Sequence, residues 1–174
     1  MESRARTAPS PGAFLIRLPL AALGLFVVYW LCEASGAFGL VNSATAEVAG
    51  RALDWLGHPN RRAGSMLCFL DSHGLQIVSE CTGVYAAILF LAGVLAFPTT
   101  WKARLVGLAV GLPILLLVNL ARLVALGLLV GTSSRWMPFF HEYVWQVLFV
   151  GLVVGLYLLW IRWMVPREPA APSP

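Results

Sequence analysis

From Leu105 to Val130 the chain carries a single charged side chain, Arg122. As a helix, at about 1.5 Å per residue, that run is roughly 39 Å long, more than the ~30 Å hydrocarbon core of a bilayer. Apolar runs from Phe14 to about Leu40, from Cys81 to Phe97 and from Phe139 to about Trp163 repeat the pattern. Charged residues are 11% of the chain and apolar residues 59%, against about 25% charged in soluble domains. The few charges gather between the runs, so the apolar surfaces must face lipid. The expectation is one domain: an all-α integral membrane protein with about four transmembrane helices, spanning residues 13–165 between tails at 1–12 and 166–174.

Two segments depart from the spanning pattern. Val41 to Leu56 places Val41, Ala44, Val48, Ala52, Trp55 and Leu56 near one helical face, as in an amphipathic helix lying at a membrane interface. Further on, Met66–Leu70 and Leu75–Val78 flank Asp71-Ser72-His73-Gly74 and read as a small hairpin. Basic residues set the orientation. With the amino terminus inside, Arg4, Arg6, Arg17, Lys102, Arg104, Arg162 and Arg167 are inside, and Arg51, Arg61, Arg62 and Arg135 are outside. That bias predicts cytoplasmic termini and an extracytoplasmic amphipathic helix and hairpin. The first run is too long for a signal peptide's apolar region, and Leu31-Cys32-Glu33 is a poor cleavage site. The formal charge of +4 is small and forms no basic stripe, which argues against nucleic acid and leaves membrane lipids as partners.

The topology brings three reactive groups to one depth. Cys81 opens the second span and His141 the fourth, both at the outer interface. Arg122 lies about 26 Å along the third span, in the outer third of the bilayer core. A thiol, an imidazole and a guanidinium at one level suggest cysteine-based acyl transfer: thiolate attack, proton shuttling and oxyanion stabilisation. Each residue also has a plainer reading. Cys81 can be a small packed residue, Arg122 can snorkel to headgroups, and His141 can anchor a helix beside Trp136 and Trp145. An intramembrane Arg costs about 2.5–3.5 kcal/mol on insertion scales and usually faces protein, which weighs against snorkelling. Asn119, one turn before Arg122, is expected to support it, as are Thr82 and Gly83 beside the cysteine. Tyr85 and Trp145 are candidates to line a substrate groove. Glu142 points about 100° away from His141 on a helix and is a poor partner for it. His58 and His73 lack ligand spacing, so no metal is expected. Cys32 and Cys68 are expected to be dispensable, because a disulfide from Cys68 to Cys81 would remove the proposed nucleophile.

These residues resemble a known family. Glu80-Cys81-Thr82-Gly83-Val84-Tyr85 is similar to the cysteine motif of exosortases and archaeosortases, in which Ser, Asn or Thr follows the cysteine. Leu117-Val118-Asn119-Leu120-Ala121-Arg122-Leu123 resembles their Asn-x-x-Arg motif, and His141-Glu142-Tyr143-Val144-Trp145-Gln146 their histidine motif. Leu95-Ala96-Phe97-Pro98 adds to the likeness, which covers roughly residues 75–163 and is greatest to the exosortase H branch. The resemblance implies an inner-membrane cysteine transpeptidase or protease without cofactor, working at the periplasmic face. Its substrates would be exported proteins ending in a short motif, one transmembrane helix and a basic tail. Cys81 would be the nucleophile, His141 the acid/base and Arg122 the transition-state stabiliser. A hydrophobic cleft between the second, third and fourth spans, roofed by residues 41–79, is then expected to admit the substrate. The alternative of another class is a non-enzymatic scaffold that binds partner transmembrane helices, with Gly93, Gly107 and Gly111 allowing close approach. A small transporter is the weaker third reading, since four spans and one Arg make no evident pathway.

Overall fold

A computed structural model of the chain describes residues 11–69, 74–130 and 143–164. The described chain is mainly helical: α1 (Pro11–Ala34), α2 (Phe38–Trp55), α3 (Val84–Ala96), α4 (Trp101–Val130) and α5 (Trp145–Met164). Between α2 and α3 lie β1 (Asn60–Ala63), β2 (Met66–Phe69), β3 (Gly74–Gln76) and a 3₁₀ turn over Ser79–Thr82. Three helices, α1, α4 and α5, are long and apolar enough to cross a membrane. The chain is thus an all-α membrane protein with several spans. The expected second span is realised differently. Its first residues form the 3₁₀ turn, and α3 has 13 residues, about 20 Å, short of a full crossing by itself.

The first apolar run is also not one helix. Gly36 adopts φ 74°, a left-handed conformation that an L side chain resists. Its N–H donates to Glu33 O, and the Ala37 N–H donates to Cys32 O. Together these close a Schellman stop, so α2 starts at Phe38, three residues before the expected Val41. Val41, Val48, Trp55 and Leu56, the expected apolar face, are exposed to the surroundings of the protein. The helix docks instead by a second face of small residues, Ala46, Ala49 and Gly50, with Leu53. Small side chains let α2 come close. A Cβ on Gly50 would meet Leu67, Asn60 and Arg62, and one on Gly127 of α4 would meet Leu53.

The hairpin exists as β2 paired antiparallel with β3, Leu67 opposite Leu75. β1 adds a third strand on the other side, with Arg62 opposite Leu67. The polar sequence Asn60-Arg61-Arg62-Ala63 hides this strand from a periodicity reading. Charge pins the sheet to α2. Arg62 bonds Asp54 at 2.7 Å and Glu47 at 3.1 Å, while Asn60 Nδ2 donates to Gly50 O and Asp54 Oδ1.

Two apolar clusters divide the interior. Ala46, Ala49, Leu53, Leu67, Ile77, Cys81 and Leu123 join α2, the sheet and the late part of α4. Phe90, Val94, Leu115 and Trp160 join α3, α4 and α5. In the second cluster glycines make room for rings: Gly111 takes Phe90, Gly107 takes Trp160 and Gly93 takes Tyr157. Trp160 Nε1 donates to Ala103 O at 2.8 Å, fixing α5 against the start of α4. α1 packs mainly on α3, where Tyr29 and Tyr85 share a hydroxyl contact of 3.2 Å.

Two outcomes follow. Gly111→Val forces a methyl group into the Phe90 ring and should cost about 1–3 kcal/mol, read by thermal unfolding in detergent. Gly155→Ala, where a Cβ meets nothing within 4 Å, should be near neutral in the same assay. The hydrogen bond from Arg62 holds the Asp54 carboxyl below its ordinary range, helped by the Asn60 N–H against some desolvation. Because the folded-state value is the lower one, this support is intact above the ordinary carboxylate range and vanishes as pH falls through the depressed value. Protection of the β1 amides, measured relative to their intrinsic exchange rates, should fall on acidification through that window, and Asp54→Asn should abolish that fall.

Candidate active site

Cys81 occupies the third position of the 3₁₀ turn and is 7% exposed. Three local features build this turn. The Cys81 N–H donates to Val78 O at 2.8 Å. Thr82 Oγ1 donates to Ser79 O at 2.7 Å. Gly83 then reverses the chain at φ 77°, leaving the turn and starting α3. A side chain at Gly83 would be doubly disfavoured, since a Cβ would also stand 3.1 Å from Asn119 Cγ. Thr82 and Gly83 therefore have structural duties here.

The turn is tied to α4 by one buried bond. Asn119 Nδ2 donates to the Cys81 carbonyl at 2.8 Å. A carbonyl only accepts, which fixes the amide's orientation and leaves Asn119 Oδ1 turned elsewhere. That oxygen is buried and has no hydrogen-bond partner among the described residues. On its other flank the turn is tied to α1 and α2. Ser79 Oγ donates to Glu33 Oε2 at 2.7 Å and accepts from Asn42 Nδ2 at 3.3 Å. Glu33, Asn42 and Ser79 were not legible as site residues. The available signal was an acid at the end of the first apolar run, where ionisable groups are rare and usually paired.

Arg122, one turn beyond Asn119, is half-buried. Its guanidinium carbon is 5.8 Å from the centre of the Phe149 ring, within the range of a cation–π contact. Its Nε is buried without an acceptor among the described residues. Phe149 belongs to α5, so the start of that helix stands at the same end of the bundle as Cys81. Trp145, the first residue of α5, keeps its Nε1 buried and unpaired among the described residues. His141 and Glu142 lie outside the described residues, as does His73. Cys32 and Cys68 are free, half-buried thiols.

Tyr85 turns to α1, its ring 5.1 Å from Tyr29 and 5.9 Å from Phe26. The cleft expected between α3, α4 and α5 is closed over much of its length by the Phe90, Val94, Leu115 and Trp160 cluster. A groove of about 380 Å³ runs instead between α2 and α4. Val41, Ala44 and Val48 form one wall, Leu116 and Leu120 the other, and Thr82 and Asn119 belong to its lining.

Loss of the amide at Asn119 should be felt both in stability and at the thiol. Asn119→Leu strands the buried Cys81 carbonyl, at a cost of about 1–3 kcal/mol, read by thermal unfolding. The same variant should alkylate faster at Cys81, because the turn loses its tether.

The profile of the transmembrane exosortase (EpsH) family matches residues 7–161. The match spans most of the chain, and the chain belongs to that family. No curated protein and no solved structure matches it.

Proposed function

We propose that this member of the exosortase family is a cysteine transpeptidase or protease that removes a C-terminal sorting signal from exported proteins. The observation that carries the reading is the buried Cys81 turn, bonded through its carbonyl to Asn119, one helical turn before the half-buried Arg122 on α4. In the proposed reaction Cys81 Sγ, as thiolate, attacks the carbonyl carbon of the scissile peptide bond. Arg122, whose Nε has no acceptor of its own among the described residues, stabilises the oxyanion that develops. The C–N bond breaks, His141 gives a proton to the departing amine, and a thioester to Cys81 remains. Water or an amine acceptor, deprotonated by His141, then attacks the thioester and restores the thiol.

The membrane setting supports this division of labour. A guanidinium in a poorly hydrated site acts on a developing charge far more strongly than it would in water. The distribution of basic residues supports cytoplasmic termini and a Cys81 end facing outward from the inner membrane. A substrate anchored by its own transmembrane helix would present its scissile bond at that level.

The competing scaffold reading assigned Gly93, Gly107 and Gly111 to partner helices. Within the chain these positions take the rings of Tyr157, Trp160 and Phe90, so that reading loses its motivating feature.

The test uses a tagged exported reporter from the same genome that ends in a short motif, one transmembrane helix and a basic tail. Cys81→Ala should abolish conversion of precursor to product on an immunoblot. Arg122→Gln should slow it by about 10²–10³-fold, as loss of one oxyanion donor does in other acyl-transfer enzymes. Undiminished processing by Cys81→Ala would end the reading.

A further inference from the structure

Three contacts put one end of the bundle on a common level. Arg104 Nη2 donates to Phe97 O at 3.1 Å, Trp160 Nε1 donates to Ala103 O at 2.8 Å, and the Phe14 and Phe97 rings stand 5.9 Å apart. The end of α3, the start of α4 and the facing parts of α1 and α5 meet there. Arg17, Lys102, Arg104 and Arg162 all fall within about a turn of that level. The acids among the described residues, Glu33, Glu47, Asp54 and Glu80, all lie toward the other end. A ring of basic side chains, with the exposed Trp101 and Trp163 beside it, marks a headgroup boundary.

The depth of the cysteine can be measured from this boundary along three helices. From Arg104 to Asn119 α4 rises about 22 Å, and Asn119 is bonded to the Cys81 carbonyl. From Phe14 to Tyr29 α1 also rises about 22 Å, and Tyr29 meets Tyr85 at the start of α3. α3 itself, with 13 residues, covers about 20 Å. The three rises agree, and any tilt shortens them along the bilayer normal. A hydrocarbon core about 30 Å thick therefore leaves the Cys81 turn about 8 Å short of the far boundary. The polar side chains at that depth suit the position. Ser79, Thr82 and Asn119 are all buried in protein, where polar groups at membrane depth are least costly.

We propose that Cys81 works about 8 Å inside the bilayer core, and that this depth selects substrates by the length of apolar helix between scissile bond and basic tail. The inference rests on the cysteine-protease reading and adds a length rule to it. A substrate whose basic tail rests at the same boundary reaches the sulfur when about 15 helical residues separate tail and scissile bond. A helix of about 20 residues, the usual spanning length, carries that bond to the far boundary instead. Bringing it back down needs a tilt of about 43°, outside the usual range of about 0–40°.

Depth and length are tested separately. In a Cys32→Ala, Cys68→Ala, Cys81→Ala background, nitroxides are attached at Leu117→Cys and Ala121→Cys, exposed positions of α4 on either side of Asn119. In lipid nanodiscs both should be relaxed by dissolved oxygen and not by an aqueous nickel chelate. A label at Trp55→Cys, whose parent residue is 95% exposed near the far end of α4, should be relaxed by the chelate. Chelate relaxation at Leu117 and Ala121 equal to that at Trp55 overturns the depth, whatever the enzyme does. The second arm uses the parent chain, so it does not depend on the folding of the labelled variants. Tagged reporters carry apolar spacers of about 10, 15 and 20 residues between scissile bond and basic tail. Processing should peak near 15 and fall at least about tenfold at 20, because tilt or bilayer deformation must absorb the excess. Equal or faster processing at 20 overturns the length rule and leaves the enzyme reading standing. If Cys81→Ala processes the best reporter, the enzyme reading fails and the length rule with it.

Discussion

A single buried hydrogen bond, from Asn119 Nδ2 to the carbonyl of Cys81, adds a directional tie between the turn and α4 to the packing of Ile77 and Cys81 on Leu123. In an apolar surrounding there is no water to replace it, so the turn and α4 stay in register. Everything at the site follows from that register. Arg122 is one helical turn beyond Asn119, on the same side of α4. Gly83, facing the same amide, must have no side chain. The Glu33, Ser79 and Asn42 bonds then hold the opposite flank of the turn.

The two apolar clusters have different jobs. Around Phe90 and Trp160, glycines accept bulky rings and lock α3, α4 and α5 into one body. Around Leu53 and Leu67, small residues of α2 bring an interfacial helix and a three-stranded sheet down onto the late part of α4. Charge completes that docking, through Arg62 with Asp54 and Glu47. The result is a rigid base under a cover, with an apolar groove between α2 and α4 whose lining includes Thr82 and Asn119.

Hydrophobic run length made the membrane class, α4 and α5 legible, because lipid leaves few other uses for such segments. The hairpin of β2 and β3 was legible from its flanking apolar residues. Three things were not. Gly36 ends α1 through backbone conformation, which an apolar-run reading passes over. β1 is polar and gains its order from ion pairs with α2, which only tertiary structure supplies. The docking face of α2 consists of Ala and Gly, residues whose value lies in being small rather than apolar. At the site, Cys81, Asn119 and Arg122 stood out in the sequence as polar residues inside apolar runs, and the structure bonds Asn119 to Cys81. Ser79 and Asn42 were not, since isolated polar residues at helix ends have many ordinary uses.

The central claim is that the sulfur of Cys81 becomes covalently bonded to the substrate's carbonyl carbon. Mass spectrometry of the protein purified with its reporter substrate measures this most directly. The account predicts a substrate-derived acyl adduct on the peptide containing Cys81, released by neutral hydroxylamine as a thioester should be. A cleaved reporter with a hydroxylamine-sensitive adduct on another residue, Cys32 or Cys68 included, would contradict it.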